Sequence, residues 1–128
     1  MDRELEEKLM EAAKQGREQS YSPYSKFAVG AALLCKDGTI FTGCNIENVS
    51  YGATMCAERV AIFKAISNGY REFEMIAVYS ELEDYTYPCG MCLQVMQEFM
   101  PEGIVLLENK KEMKRFLVRE LMPTKFEF

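Results

Sequence analysis

The chain has 128 residues, 15 Lys+Arg against 20 Asp+Glu, a net charge of −5 and a pI near 4.9, a length that suits one domain burying roughly two-thirds of its unfolded surface. Hydrophobic residues make up 48% and charged residues 27%, a globular rather than disordered mix, and the acidic balance excludes the basic stripe a nucleic-acid polymer would require. There is no histidine, which removes Ser-His and Cys-His nucleophile pairs, His-bound metals and imidazole shuttles, so any soft-metal site must be built from thiolates.

Residues 1–15 are charged throughout and lack the apolar core of a signal peptide. The longest nearly apolar stretch, 27–35, is far too short to span a bilayer. A cytoplasmic protein without a membrane partner is therefore expected, and its five cysteines, an odd number, point to metal binding before a disulfide framework. Leu5, Leu9, Ala12 and Ala13 recur at helical spacing, which predicts an amphipathic helix ending near Ser20. Pro23 biases the residue before it away from helix, so 21–25 is a loop. Residues 29–35 and 39–44 read as strands joined by Lys36-Asp37-Gly38, a β-hairpin. The polar stretch 45–54 reads as a functional loop.

Residues 56–68 form the next predicted helix, apolar nearly all round and so expected to be buried, with Gly69 as its stop. A buried strand over 75–79 and a loop over 81–88 follow. A helix runs from about Cys89 to Met100, with Cys92, Val95, Met96 and Phe99 on one face, and residues 104–107 form a short strand. The tail, 111–128, fits either a strand with a short helix or one longer helix. Helices alternating with strands after an opening hairpin make an α/β sandwich with a mixed sheet, in a single domain spanning 1–128.

Two segments carry chemistry: Cys56-Ala57-Glu58-Arg59 and Pro88-Cys89-Gly90-Met91-Cys92. Cys89 and Cys92 are three apart at a predicted helix start and share a face of its first turn, and Cys56 opens another helix. Three thiolates at two helix N-termini can form an open tetrahedral zinc site, with about 2.3 Å to each sulfur and a fourth position left for water. The positive helix ends favour thiolate over thiol. Glu58, two residues past Cys56, does not share its face and is expected to be no fourth ligand, but its longer side chain can reach the fourth position, where a general base belongs. Taken singly, a CxxC is often a structural zinc half-site or a redox dithiol, and Cys-Ala-Glu means little; jointly, with Pro88 before the pair, they match the general zinc-deaminase signature.

Beyond that motif the chain resembles the small homotetrameric cytidine deaminases. The stretch from Pro23 through Ala32, the run Gly43-Cys44-Asn45-Ile46-Glu47-Asn48, and Glu120-Leu121-Met122-Pro123 followed by Phe126 look like the family's other signatures, and the likeness extends from residue 3 to 126. The resemblance implies a three-layer α/β/α fold with a five-stranded mixed sheet. It implies zinc-dependent hydrolysis of cytidine and deoxycytidine to the uridines and ammonia, in pyrimidine salvage. By the family pattern Cys56, Cys89 and Cys92 bind Zn²⁺ and Glu58 shuttles protons. Asn45 and Glu47 look like ribose-hydroxyl binders, and Phe27 looks like a wall against the base. Tyr51 and Phe126 match positions that reach a neighbouring subunit's site, so a homotetramer with shared active sites is implied. Main-chain carbonyls near Ala57 and Tyr87 are the candidate holders of the amino group.

The residues by themselves allow plainer readings. Asn45 and Glu47 alternate in an extended loop and can present amide and carboxylate to a sugar diol, or Asn45 caps a turn and Glu47 is solvated. Phe27 and Phe126 can be core packing, and Cys35 and Cys44 read as buried free thiols. The chain departs from the family where an arginine commonly follows the last cysteine: here it is Leu93, which leaves Arg59 as the cation beside three thiolates, and Met91 stands where a small residue is common. The competing functions are a deaminase of a modified nucleoside or nucleoside antibiotic, a structural zinc or nucleoside-binding module without chemistry, and a thiol redox protein using Cys89 and Cys92.

Overall fold

The structure, a computed structural model, describes residues 3–124 and residue 126; the ends of the expected N-terminal and tail segments, 1–2, 125 and 127–128, lie outside the described residues. Helix α1, Arg3–Arg17, carries Glu4 and Glu6 in its first turn and Lys14 and Arg17 in its last, so side-chain charge opposes the helix dipole at both ends. It stops at Arg17 rather than near Ser20, because Glu18, Gln19 and Ser20 donate to the carbonyls three residues back and tighten the last turn.

Strands β1 (Gly30–Cys35) and β2 (Ile40–Cys44) form the expected antiparallel hairpin, turning at Gly38 with φ +96. Helix α2 (Ala57–Ser67), strand β3 (Phe73–Tyr79), helix α3 (Gly90–Phe99) and strand β4 (Ile104–Glu108) follow. The tail resolves into strand β5 (Met113–Leu117) and the short helix α4 (Val118–Leu121), the first of the two alternatives. The five strands make one mixed sheet, ordered β2-β1-β3-β4-β5, with only the β3–β4 pair parallel. Strand β3 starts at Phe73, earlier than the apolar run predicts, because an irregularity after Leu34 brings Cys35 opposite Phe73 and extends the ladder.

The period-two alternation of β1 sorts the core into two layers. Ala32 and Leu34 face Leu9, Met10 and Ala13 of α1, while Ala31, Leu33 and Cys35 face Ala61, Ile62 and Ala65 of α2 and Met96 of α3. This is the three-layer α/β/α arrangement. Helix α2 is not buried all round: Phe63 is 40% exposed, because the helix has the sheet on one side and nothing described on the other.

Two glycines set how closely the helices sit. A Cβ at Gly30 would lie 2.0 Å from the Ala13 carbonyl oxygen of α1, and one at Gly43 would lie 2.4 Å from that of Ala57 and 2.7 Å from the Ala61 nitrogen. Gly43 thus lets the first turn of α2 rest directly on β2. The parallel β3–α3–β4 crossover carries the chain from the end of β3 into the start of α3. The N-termini of α2 and α3 meet there.

Candidate active site

Cys56 and Cys89 are the N-cap residues of α2 and α3, both with extended backbone (ψ 153 and 170), and Cys92 lies in the first turn of α3. The three sulfurs lie within 4.8 Å of one another, and Cys56 and Cys89 Sγ are 3.7 Å apart. A tetrahedral ion at about 2.3 Å from each sulfur spaces them about 3.8 Å apart, so the separation and the all-thiolate donor set both fit zinc. Glu58 is absent from the cluster, as its position on α2 requires. A hydrogen bond from Cys92, aided by Arg59 and Cys89, holds the Cys56 thiol far below its usual range. The same bond and burial push Cys92 the other way.

Arg59 Nη2 donates to Cys56 Sγ at 3.3 Å, while its buried Nε has no hydrogen-bond partner among the described residues. Leu93 is half-buried and packs against the core on the α2–α3 side, and Met91 is exposed. Arg59 is therefore the guanidinium that touches a cluster sulfur. Cys35 and Cys44 are buried free thiols whose pKa burial raises, as the plainer reading holds.

A cleft of about 250 Å³ opens beside the sulfurs. Glu58, only 4% exposed, forms part of its wall together with Cys56 and Cys89. Burial, with the Cys56 charge adding, pushes the Glu58 carboxyl up to about 7. Phe27, Asn45, Glu47 and Tyr51 line the same cleft, so the fold brings together residues 27, 45, 47, 51, 56, 58 and 89. Phe27 lines the cleft and also packs against the core. Tyr51, in a short 3₁₀ turn, is 81% exposed at the rim.

Asn45 and Glu47 bind the loop before β1. Asn45 Oδ1 accepts from Val29 N at 3.0 Å and from Ser20 Oγ, and its Nδ2 donates to the Phe27 carbonyl at 2.8 Å. Glu47, 7% exposed and so not solvated, accepts at Oε1 from Tyr24 N (3.0 Å) and Ser25 N (3.1 Å) and at Oε2 from Ser25 Oγ. The Ser25 hydroxyl holds the Glu47 carboxyl below the ordinary carboxylate range, with the two backbone amides adding. A primary amide offers two donors and two acceptor sites, and a carboxylate about four acceptor sites. Counted against the described partners, Asn45 keeps one N–H and Glu47 Oε2 keeps one lone pair, a donor and an acceptor of the kind a diol can use.

Ala57 and Phe126 are not among the residues lining the cleft. Ala57 is buried as the first residue of α2, its carbonyl lying over Gly43, and Phe126 is 66% exposed. Tyr87, expected only through a carbonyl near it, lines the cleft with Thr86, which is hydrogen-bonded to buried Ser80. Ser25 also lines the cleft and was not singled out by sequence; its position between Tyr24 and Phe27 in the Pro23–Ala32 signature is the signal that marks it.

A family model described as the cytidine and deoxycytidylate deaminase zinc-binding region matches residues 3–108. A cytidine deaminase of Sporosarcina psychrophila is 50% identical over 124 residues, covering 94% of this chain and 90% of that protein. One from Halalkalibacterium halodurans is 48% identical over 128 residues, covering 98% and 95%. The crystal structure of a cytidine deaminase from Burkholderia pseudomallei is similar with a TM-score of 0.92 and 46% identity, covering 98% of this chain and all of that one.

Proposed function

This chain belongs to the cytidine and deoxycytidylate deaminase family, and we infer from that membership and from its cleft that it is a zinc-dependent hydrolase converting cytidine and deoxycytidine to the uridines and ammonia. The observation that carries the reading is the buried Glu58 carboxyl on the cleft wall beside three converging cysteine sulfurs. Cys56, Cys89 and Cys92 hold the zinc. When bound, the ion supplies Lewis-acid chemistry that makes water nucleophilic near neutral pH.

Glu58 moves the protons. Its carboxylate accepts a proton from the attacking water and delivers it to N3 of the pyrimidine, then takes the second proton from the new C4 hydroxyl and gives it to the amine as the C4–N bond breaks and the C4 carbonyl forms. Burial excludes competing solvent from the carboxyl. Phe27 bounds the base, and the remaining N–H of Asn45 and lone pair of Glu47 Oε2 take the sugar hydroxyls. Of the two main-chain carbonyls considered for the amino group, the one near Tyr87 is kept, since Tyr87 lines the cleft whereas the Ala57 carbonyl lies over Gly43. Arg59 offsets part of the thiolate charge through its bond to Cys56, a role in which the apolar Leu93 cannot assist. The direct test is a cytidine absorbance assay with and without a chelator: turnover that chelation abolishes and zinc restores supports the reading, and chelator-insensitive turnover, or none in zinc-replete protein, refutes it.

The assembly belongs to the same proposal: a cytoplasmic homotetramer with shared active sites, serving pyrimidine salvage. Val49 is 83% and Tyr51 81% exposed next to the cleft, an apolar rim that a second subunit would cover. Phe126, beyond Pro123, is the residue assigned to a neighbour's site. Sedimentation equilibrium should give four chains per particle, and removing residues 124–128 should raise the cytidine KM with zinc content unchanged. A fully active monomer contradicts this.

A further inference from the structure

Resting on the deaminase reading above, we propose that Ser25 is a positioning residue whose hydroxyl sets the sugar-binding carboxylate and the base-facing wall of the cleft as one unit. Its Oγ donates to Glu47 Oε2 and accepts from the Phe27 amide at 3.0 Å, and its own amide donates to Glu47 Oε1 at 3.1 Å. One side chain therefore joins the residue assigned to the ribose and the residue assigned to the base.

Between Ser25 and Phe27 the backbone bends through Lys26 at φ +61, the one positive φ outside glycine among the described residues. A lysine in the left-handed region is strained, and such strain persists where surrounding bonds over-determine the conformation. Glu47 holds the chain before the bend, at the amides of Tyr24 and Ser25, and Asn45 holds it after, at the Phe27 carbonyl and the Val29 amide. The Ser25 hydroxyl bonds to both sides of the bend: to the carboxylate that grips the near side and to the amide that begins the far side.

The hydroxyl also decides which part of Glu47 is left for a ligand. With Ser25 occupying one site on Oε2, the remaining lone pair has a fixed direction. Without it, that oxygen and the Phe27 amide each lose a partner, and the carboxylate and the ring move independently. Among the described residues, no hydrogen bond joins Glu58 or the three cysteines to this segment. The loss should fall on binding rather than on proton transfer, which separates KM from kcat.

The experiment uses zinc-loaded full-length protein in four forms: wild type, Ser25→Ala, and the equal-shaped pair Ser25→Thr and Ser25→Val, which differ chiefly in the hydroxyl. Cytidine kinetics, the uridine Kd by calorimetry, zinc content and circular dichroism are measured on each. Ser25→Ala and Ser25→Val should raise KM and the uridine Kd about tenfold or more, with kcat within about threefold and zinc unchanged, and Ser25→Thr should recover most of the loss. A Ser25→Ala or Ser25→Val protein with wild-type KM and Kd, a fall in kcat alone, or equal behaviour of the Thr and Val forms overturns the positioning role while leaving the deaminase reading intact. A wild-type protein that neither turns over cytidine nor binds uridine overturns the deaminase reading, and the positioning role with it.

Discussion

The sulfur side of the cleft stands on the first turns of two helices, while the side formed by Asn45 and Glu47 hangs on hydrogen bonds between two loops. Cys56 and Cys89 are placed by α2 and α3, which are themselves placed by packing on the sheet, down to the missing side chain of Gly43. Asn45 and Glu47 lie outside any helix or strand run, and their own side chains hold the opposing segment, 20–29, in place. Packing against a sheet is cooperative, so one lost methyl is shared among many contacts. A net of side-chain-to-backbone bonds has few members, and each one removed leaves a buried partner unpaired. On the roles proposed above, the sulfur side should thus respond to changes of ligand and charge without unfolding, and the loop side should respond in affinity and stability together.

The sharpest test of that contrast is on the sulfur side. Cys89→Ala should lose nearly all zinc and activity while keeping its circular dichroism, whereas Cys35→Ala should keep its metal; elemental analysis of both decides, and the reverse pattern refutes the site. Glu58→Gln should retain zinc and fold while kcat falls by about 10²–10⁴; loss of metal would make Glu58 a ligand. On the loop side, Asn45→Ala removes the partners of the Phe27 carbonyl and Val29 amide, and should cost about 1–3 kcal/mol in urea denaturation as well as raising KM.

The pH dependence sharpens the contrast further. Glu47 has a folded pKa held below its ordinary value, chiefly by Ser25. Its stabilisation is therefore fully present above the ordinary carboxylate pKa and is lost as pH falls through the depressed one. Denaturation midpoints measured between about pH 7 and pH 3 should fall less steeply in Glu47→Gln than in wild type. The smallest effect belongs to Lys26→Gly, which relieves the left-handed strain against glycine's larger unfolded-state entropy and should raise stability by about 0.5–1 kcal/mol. A destabilised Lys26→Gly protein would mean that the bend is not strained.

The same contrast governs what could be read in the sequence. The sulfur side was legible because each ligand sits at a helix start and two of them are three residues apart, so local spacing carries the geometry. Glu58 followed from helical phase relative to Cys56. The apolar run over 29–35 and the turn after it foretold the opening hairpin, and the tail's ambiguity closed once β5 had an antiparallel partner in β4. The loop side was legible only as a resemblance. Nothing local says that Glu47 binds the amides of Tyr24 and Ser25, since those residues meet only after β1 pairs with β2. A lysine has no sequence signature for a positive φ, so the bend at Lys26 was invisible. The apolar pattern of α2 misled for a different reason: hydrophobicity all round does not say whether the outer face is covered within the same chain, and Phe63 is not.

The meeting of two helix starts has a consequence for the unfolded chain as well. Cys56 and Cys89 are 33 residues apart in sequence, and the intervening segment contains all of α2 and β3. Any ion that grips both sulfurs closes that segment into a ring and denies the denatured chain its freedom to open. By the entropy of an equivalent covalent cross-link, a ring of this size is worth up to about 4 kcal/mol, a large share of the roughly 5–15 kcal/mol by which a domain is stable. The metal would then act as a buckle on the topology, binding the order of α2, β3 and α3 together before any nucleoside arrives.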